Sequence, residues 1–166
     1  MTGITDAVKA EYFKRVFETI DGLWFMKVEE EKGFEGALEL DRRVWEIVPK
    51  VQARALRKLL GIEGGGPEAL KAALEAKFEM EGYAAEISLS GAALEVKVKM
   101  CPWHGLMLKS GREHLAGRVG EVICGTEYPV WMKEFGVGGG FRLESLLCRD
   151  GGCCAMRFGI GPAAES

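Results

Sequence analysis

Apolar positions in the first half of the chain recur at three- and four-residue steps, the period of an amphipathic helix. One apolar stripe consists of Phe13, Val16, Phe17, Ile20, Trp24 and Val28, and Gly33 is placed to end that helix. A second helix carries Ala37 to Leu59 with an expected kink at Pro49, and a third runs from Pro67 to about Gly82. Residues 5–82 are therefore predicted to be helical.

The period of the apolar positions changes to two after residue 82, as in a strand with one buried face. Residues 83–89 alternate between apolar and polar, Ser90-Gly91 supplies a turn, and residues 94–100 alternate again. This pattern predicts a hairpin over about 83–100, with Glu86 opposite Lys97 as a cross-strand charge pair.

Residues 102–136 return to a helical pattern, which is followed by a second predicted hairpin over about 141–160. The helical region is expected in two pieces, because four helix-weakening residues interrupt it: Gly117, Gly120, Gly125 and Pro129. The chain is thus expected to be a single α+β domain, in which N-terminal helices pack on a small antiparallel sheet made of the two hairpins.

The charges of the second hairpin indicate a register. Setting Leu147 opposite Cys154 pairs Glu144 with Arg157 and leaves the opposite face almost wholly apolar, whereas a shift by one residue loses the ion pair. The same register places Cys148 opposite Cys153 and points Cys154 into the core.

Length and composition narrow the functional class. The 166 residues suffice for one domain with a core, and the net charge of −3 argues against a nucleic-acid-binding protein. No apolar run reaches the ~20 residues that span a bilayer, and residues 1–10 lack a signal-peptide pattern, so a cytoplasmic protein without membrane contact is expected. In that reducing compartment, the five cysteines are core residues, metal ligands or reactive thiols rather than a disulfide framework.

The spacing Cys101-Pro-Trp-His104, directly after the first hairpin, is that of two metal ligands on one turn. With Cys148 and Cys153 it would complete a four-ligand set for zinc or iron. In the alternative interpretation, Cys101 is a nucleophile at a strand–helix junction, where the helix N-terminus lowers the thiol pKa and His104 or His114 acts as base.

Other residues are candidates for a ligand pocket or for the core. Cys124 lies on a helix face with Tyr128 and Trp131, where core packing competes with a role as a metal ligand. The aromatic residues Trp24, Trp103, Tyr128 and Trp131 could line a pocket. Asp21 interrupts an apolar stretch, so it is either solvated or a buried acid with a partner.

Several short motifs in this order carry a family resemblance: Asp-Gly-Leu-Trp-Phe (21–25), Asp41 with Trp45, Cys-Pro-Trp (101–103), Gly-Arg (111–112), Ile-Cys (123–124), Tyr-Pro-x-Trp (128–131), and Cys154, Arg157 and Phe158. The chain resembles small prokaryotic proteins akin to L-2-amino-thiazoline-4-carboxylic acid hydrolases, and its last hairpin resembles small-molecule-binding domains named after vinyl reductases.

The resemblance implies an α+β fold with a pocket near the cysteine-bearing hairpin. Its hydrolase members open an amidine-containing ring, in which a thiol or a polarised water can take part. Cys101, Cys124 and Cys154 match the motif positions, whereas the register argument selects Cys153, and His104 is not part of the pattern.

Three functions are compatible with these observations. The first is binding of a small molecule or metal at a site built from Cys101, Cys124, Cys148 and either Cys153 or Cys154. The second is hydrolysis of a C–N bond in a small cyclic amidine. The third is a structural or interaction module whose cysteines only pack.

Overall fold

The computed structural model describes residues 3–161, and their contacts divide into two compact units, one up to Asp41 and one from Arg42 onward. The first unit is formed by helix α1 (Asp6–Trp45), whose last residues belong to the second unit. Gly33 interrupts α1 with φ 73° and ψ 168°. A positive φ strains any residue with a Cβ atom, so the helix break expected at this glycine is confirmed.

The apolar stripe of α1 is largely exposed instead of buried. Phe13, Ile20 and Trp24 are 65%, 62% and 60% exposed, whereas Val28, at the end of the stripe, is buried. The helical period determined which residues share a face, but it carries no information about what covers that face.

Two further helices follow, α2 (Val48–Leu60) and α3 (Pro67–Glu81). Pro49 was expected to kink a continuous helix, but it lies in the first turn of α2, where a proline needs no backbone N–H. The left-handed glycines Gly61 and Gly82 cap the ends of α2 and α3.

Four strands form one antiparallel sheet: β1 (Ala84–Leu89), β2 (Ala93–Met100), β3 (Phe141–Ser145) and β4 (Cys154–Gly159). Their order across the sheet is β1-β2-β4-β3, so β2 and β4 are central and join the two hairpins. Glu86 faces Lys97 as expected, although its carboxylate makes an ion pair with Lys99. The predicted α+β class and the antiparallel sheet are confirmed.

The helical region between the hairpins has a different break from the one expected. It consists of α4 (Pro102–Lys109) and α5 (Glu113–Glu134), which are separated at residues 110–112. Helix α5 continues through all four residues that were expected to interrupt it. Two of its glycines give room to a neighbour: a Cβ at Gly117 would lie 3.3 Å from Arg149 Cβ, and one at Gly120 would lie 3.1 Å from Cys148 Sγ.

The predicted register of the second hairpin is wrong. Phe141 faces Phe158, and a bulge follows Leu143. Arg157 does not pair with Glu144, because β4 also has β2 as a neighbour, and Glu95 on β2 binds Arg157 at 2.7 Å. A short helix, α6 (Leu147–Asp150), replaces the expected strand around Cys148, so this residue is not a cross-strand partner of Cys153.

The core of the second unit lies between the sheet and helices α2, α3 and α5. Its most deeply buried large side chains are Leu70, Leu74, Leu94, Val96, Val98, Trp131, Phe135 and Phe158. In the part of the chain that the structure describes, no helix is both long and apolar enough to cross a membrane.

Candidate functional site

The candidate site centres on Cys101, which joins β2 to α4. The residue has extended backbone angles and is the N-cap of α4, and its half-buried side chain packs against the core. The sulfur lies at a helix N-terminus, where unpaired backbone N–H groups favour negative charge.

Two opposing effects act on the Cys101 thiol. Burial raises its pKa, and this effect is the largest. The backbone amides of His104 and Trp103, the hydroxyl of Tyr83 and the ammonium of Lys77 all act to lower the pKa, although neither amide makes a complete capping hydrogen bond. The net shift is upward, so Cys101 is a neutral thiol at neutral pH with thiolate-stabilising groups around it.

Three other cysteines lie near Cys101 and come from three different elements. Burial raises the pKa of the Cys124 thiol on α5 well above its usual range, and Glu127 and the thiols of Cys101, Cys154 and Cys148 raise it further. The four thiols, from the β2–α4 junction, α5, α6 and β4, are therefore close enough to influence the Cys124 pKa together. We refer to Cys101, Cys124, Cys148 and Cys154 as the thiol cluster.

Cys154 is the fourth member of this cluster, and Cys153 precedes it directly in the chain. The backbone amide of Leu147 donates to Cys154 Sγ at 3.2 Å, which ties α6 to β4. Burial raises the pKa of the Cys154 thiol to about 11, with further increases from Cys101, Cys148 and Cys153. Burial also raises the pKa of the Cys148 thiol. All four thiols are thus neutral at neutral pH.

The structure gives no support to the predicted metal site, which stays a prediction. Within residues 3–161, no three or more His, Cys, Asp or Glu side chains are arranged so that they could hold a metal ion. The predicted zinc or iron ligands included His104 or Cys124 beside Cys101 and Cys148, with either Cys153 or Cys154. His104 approaches Cys101 through its backbone amide, and this contact does not depend on its imidazole.

A buried ion network adjoins the thiol cluster. Lys77 on α3 is 2% exposed, and its Nζ lies 2.7 Å from Glu81 Oε2 and 3.0 Å from Glu127 Oε1. Glu127 on α5 is 3% exposed, and its Oε1 makes this ion pair without a well-aligned hydrogen bond. Neither residue could be recognised from the sequence, because Lys77 and Glu81 have the spacing of an ordinary surface pair and Glu127 lies on a different helix.

The environment of Lys77 keeps the amine charged. Burial alone would lower its pKa, but the two carboxylates more than offset this effect and the net shift is upward. The rings of Tyr83 and Phe78 lie 5.3 and 5.6 Å from the ammonium, in the range of cation–π attraction. Burial raises the pKa of Tyr83 well above its usual range, so its phenol stays protonated and can donate a hydrogen bond.

The residues predicted to line a pocket belong to both units of the chain. Tyr128 and Trp131 are fully buried in the core, and Trp103 packs edge-on against Trp45 at 6.4 Å between ring centroids. Trp24 and Asp21 belong to the first unit, where Trp24 is exposed and burial raises the pKa of Asp21.

A shallow groove of about 370 Å³ lies between α5 and strand β3, with α6 at one end. Its lining is Glu121, Gly125, Pro129, Phe141, Leu143 and Arg149. Arg149 is already paired with Asp150 at 2.9 Å and lies 3.7 Å from Glu121. The groove shares α5 and α6 with the thiol cluster, but it has no thiol in its lining.

Comparison with known proteins gives a family but no activity. No curated protein matches this chain. The model of a family of unknown function, DUF6125, matches residues 7–103, which is more than half of the 166 residues. The matched range includes Lys77, Tyr83 and Cys101 and stops before the other three thiols. The chain belongs to the DUF6125 family.

Proposed function

We propose that the second unit binds a small organic molecule at the thiol cluster, and that Cys101 is the thiol that contacts it. The observation that supports this most is the environment of Cys101, where two amides, a phenol and a buried ammonium all favour a thiolate. A cysteine that only packs in the core does not need groups that favour its thiolate, because a neutral thiol packs equally well against apolar neighbours.

The neutral state of the thiols limits which kinds of small molecule fit this site. Four neutral thiols, two of which (Cys101 and Cys124) act on the Tyr83 phenol, give the cluster a polarisable and weakly polar character. The ammonium of Lys77 is matched by Glu81 and Glu127. A small molecule with an electrophilic C=N or C=O carbon fits this chemistry, since the groups around Cys101 stabilise the thiolate as it reacts.

Alkylation followed by peptide mass spectrometry tests the proposal. The native chain is treated with iodoacetamide, and the labelling rate of each cysteine is measured. We expect Cys101 to react faster than Cys124, because the groups around Cys101 favour its thiolate and none is found for Cys124. Tyr83→Phe should slow Cys101 severalfold, since it removes a group that lowers the thiol pKa.

Two results would contradict this proposal. If Cys101 reacts no faster than Cys124 and Tyr83→Phe has no effect, the thiols only pack. If protein purified without affinity-column metal contains stoichiometric zinc or iron, the cysteines are metal ligands instead.

A second candidate is hydrolysis of a cyclic amidine with Cys101 as nucleophile, which the same thiolate-stabilising groups favour. Chromatography should then show loss of L-2-amino-thiazoline-4-carboxylic acid with the native chain. Cys101→Ser should abolish this loss, whereas Cys153→Ser, at a position outside the cluster, should leave it unchanged. If Cys101→Ser leaves the rate of this loss unchanged, Cys101 is not the nucleophile.

Both candidates require free thiols. We therefore also propose that the chain works in the reducing cytoplasm, where disulfides do not persist.

A further inference from the structure

The N-terminal segment of α1, residues 6–32, presents a large apolar surface. Five of its side chains share the exposed side and are at least 45% exposed: Phe13, Phe17, Ile20, Leu23 and Trp24. Isolated exposed apolar residues are ordinary, but a continuous strip of this size on one helix marks an interaction surface.

The spacing of this strip is that of a helix seam. Phe13, Phe17, Ile20 and Trp24 follow one another at alternating steps of four and three, as the a and d positions of a coiled coil do. Ala10 precedes them at the same spacing. Residues 6–32 span about 40 Å at 1.5 Å per residue, so the segment is long enough for a pair of helices.

We propose that this surface binds a second copy of the chain, and that residues 6–32 of the two copies pack as an antiparallel helix pair. The distribution of charge selects this partner and this direction. Residues 6–17 contain three basic and two acidic side chains, whereas residues 18–32 contain two basic and five acidic ones. Antiparallel packing brings the basic half of one copy against the acidic half of the other.

The apolar side chains suggest the register of the pair. With Phe17 of each copy facing Ile20 of the other, Phe13 faces Trp24 at both ends of the seam. In this register, Lys9 of one copy flanks Glu30 of the other, and the contact occurs twice by symmetry. In a parallel pair, the two Lys27 side chains would meet in the seam instead.

The monomer leaves the two charged partners available. Lys9 and Glu30 make local ion pairs, with Asp6 at 2.9 Å and Lys27 at 2.8 Å. All four side chains are more than half exposed, and such surface pairs contribute little. Rearrangement toward a second copy therefore has a small cost.

The size of the strip agrees with a weak, reversible dimer. An aromatic side chain buries about 150–250 Å², so the exposed fractions of the three aromatic side chains, together with those of Ile20 and Leu23, give roughly 500 Å² per copy. The pair would bury about 1,000 Å² in total, near the lower limit of specific interfaces.

Analytical ultracentrifugation of the full chain over about 0.1–100 μM tests the proposal, a range that covers typical weak dimers. We expect a reversible dimer that Ile20→Glu weakens at least about 100-fold by placing a charge in the seam. Because Ile20 is exposed in the monomer, this variant should keep the circular dichroism of the native chain. Arg15→Glu, on the opposite side of the helix, is the matched control and should leave the dimer intact.

A charge exchange tests the direction. Lys9→Glu and Glu30→Lys should each weaken the dimer, and the double variant should restore it, because the exchanged charges again meet across the antiparallel pair. If the native chain stays monomeric at every concentration, or if Ile20→Glu does not weaken the dimer, the proposed interface is wrong. A dimer that the double charge exchange fails to restore overturns the antiparallel direction.

Discussion

The buried ammonium of Lys77 provides a prediction for which the structure sets the magnitude. Lys77→Met keeps the length of the side chain and removes its charge. The variant leaves Glu127, which is 3% exposed, without its cation, whereas the side chain of Glu81 is 26% exposed and can be hydrated. The loss is therefore expected to come mainly from one uncompensated carboxylate.

Breaking a buried pair by removing one partner costs about 3–5 kcal/mol, and we expect this loss of unfolding free energy for Lys77→Met. Replacing both charges with apolar groups of similar volume is often neutral. The double variant Lys77→Met/Glu127→Met should therefore regain roughly 2 kcal/mol or more relative to Lys77→Met.

Urea unfolding, followed by fluorescence and circular dichroism, measures these differences. With a slope of about 1–3 kcal/mol per M of urea, Lys77→Met should lower the midpoint by at least about 1 M. A loss below about 1 kcal/mol for Lys77→Met would show that water reaches Glu127. A double variant that is less stable than Lys77→Met would refute the reasoning, because the lost stability would then reflect packing and not an unpaired charge.

Two further outcomes follow from the thiol cluster and its neighbouring helix. Burial raises the pKa of Cys154 to about 11, so its neutral form stabilises the fold below the unfolded pKa of about 8.5, and this contribution is lost as the pH rises toward 11. Between these two pH values, the unfolding temperature should therefore decline less for Cys154→Ala than for the native chain. Equal declines would contradict the assignment. Gly125→Ala should stabilise α5 by about 0.5–1 kcal/mol, because there is open space around the new Cβ. Gly120→Ala should not show this gain, because its Cβ would lie 3.1 Å from Cys148 Sγ, and adding Cys148→Ala should restore the gain. The urea midpoints of the single and double variants test this difference.

Local patterns predicted most of the elements, because their signals lie within a few residues of the chain. The pairing of Glu86 with Lys97 followed from the alternation on both sides of a two-residue turn, and the structure has this register. Pro67 and Gly82 similarly bounded a helix, since a proline suits a first turn and a left-handed residue suits an end.

The predicted register of the second hairpin was wrong because this register depends on a third strand. Within β3 and β4 alone, Glu144 is the acidic residue that the pattern offers to Arg157. In the sheet, β4 lies between β3 and β2, so Arg157 binds Glu95, 62 positions earlier in the sequence. No pattern within the hairpin indicates that β2 pairs with β4. Cys148 lies in α6 and not in the strand in which it was expected.

The candidate site was predictable only in part for the same reason. The position of Cys101 between a strand and a helix could be inferred from the sequence. Lys77 and Glu127 lie on different helices and become partners only in the folded core. A lysine with a glutamate four residues later is typical of a solvated helix face, so its burial had no local signal.

The central position of β4 determines the order in which the sheet can be completed during synthesis. β2 ends at Met100 and β4 begins at Cys154, so the ribosome must add the intervening chain and then β4 itself, which takes roughly 3–12 s at 5–20 residues per second. Throughout this interval the β1–β2 hairpin has an open edge on β2, with the unpaired backbone groups that recruit strands of other chains. The nascent chain thus passes through a stage in which its inner strand is a temporary edge, and chaperones that shield such edges should have their greatest effect before β4 emerges.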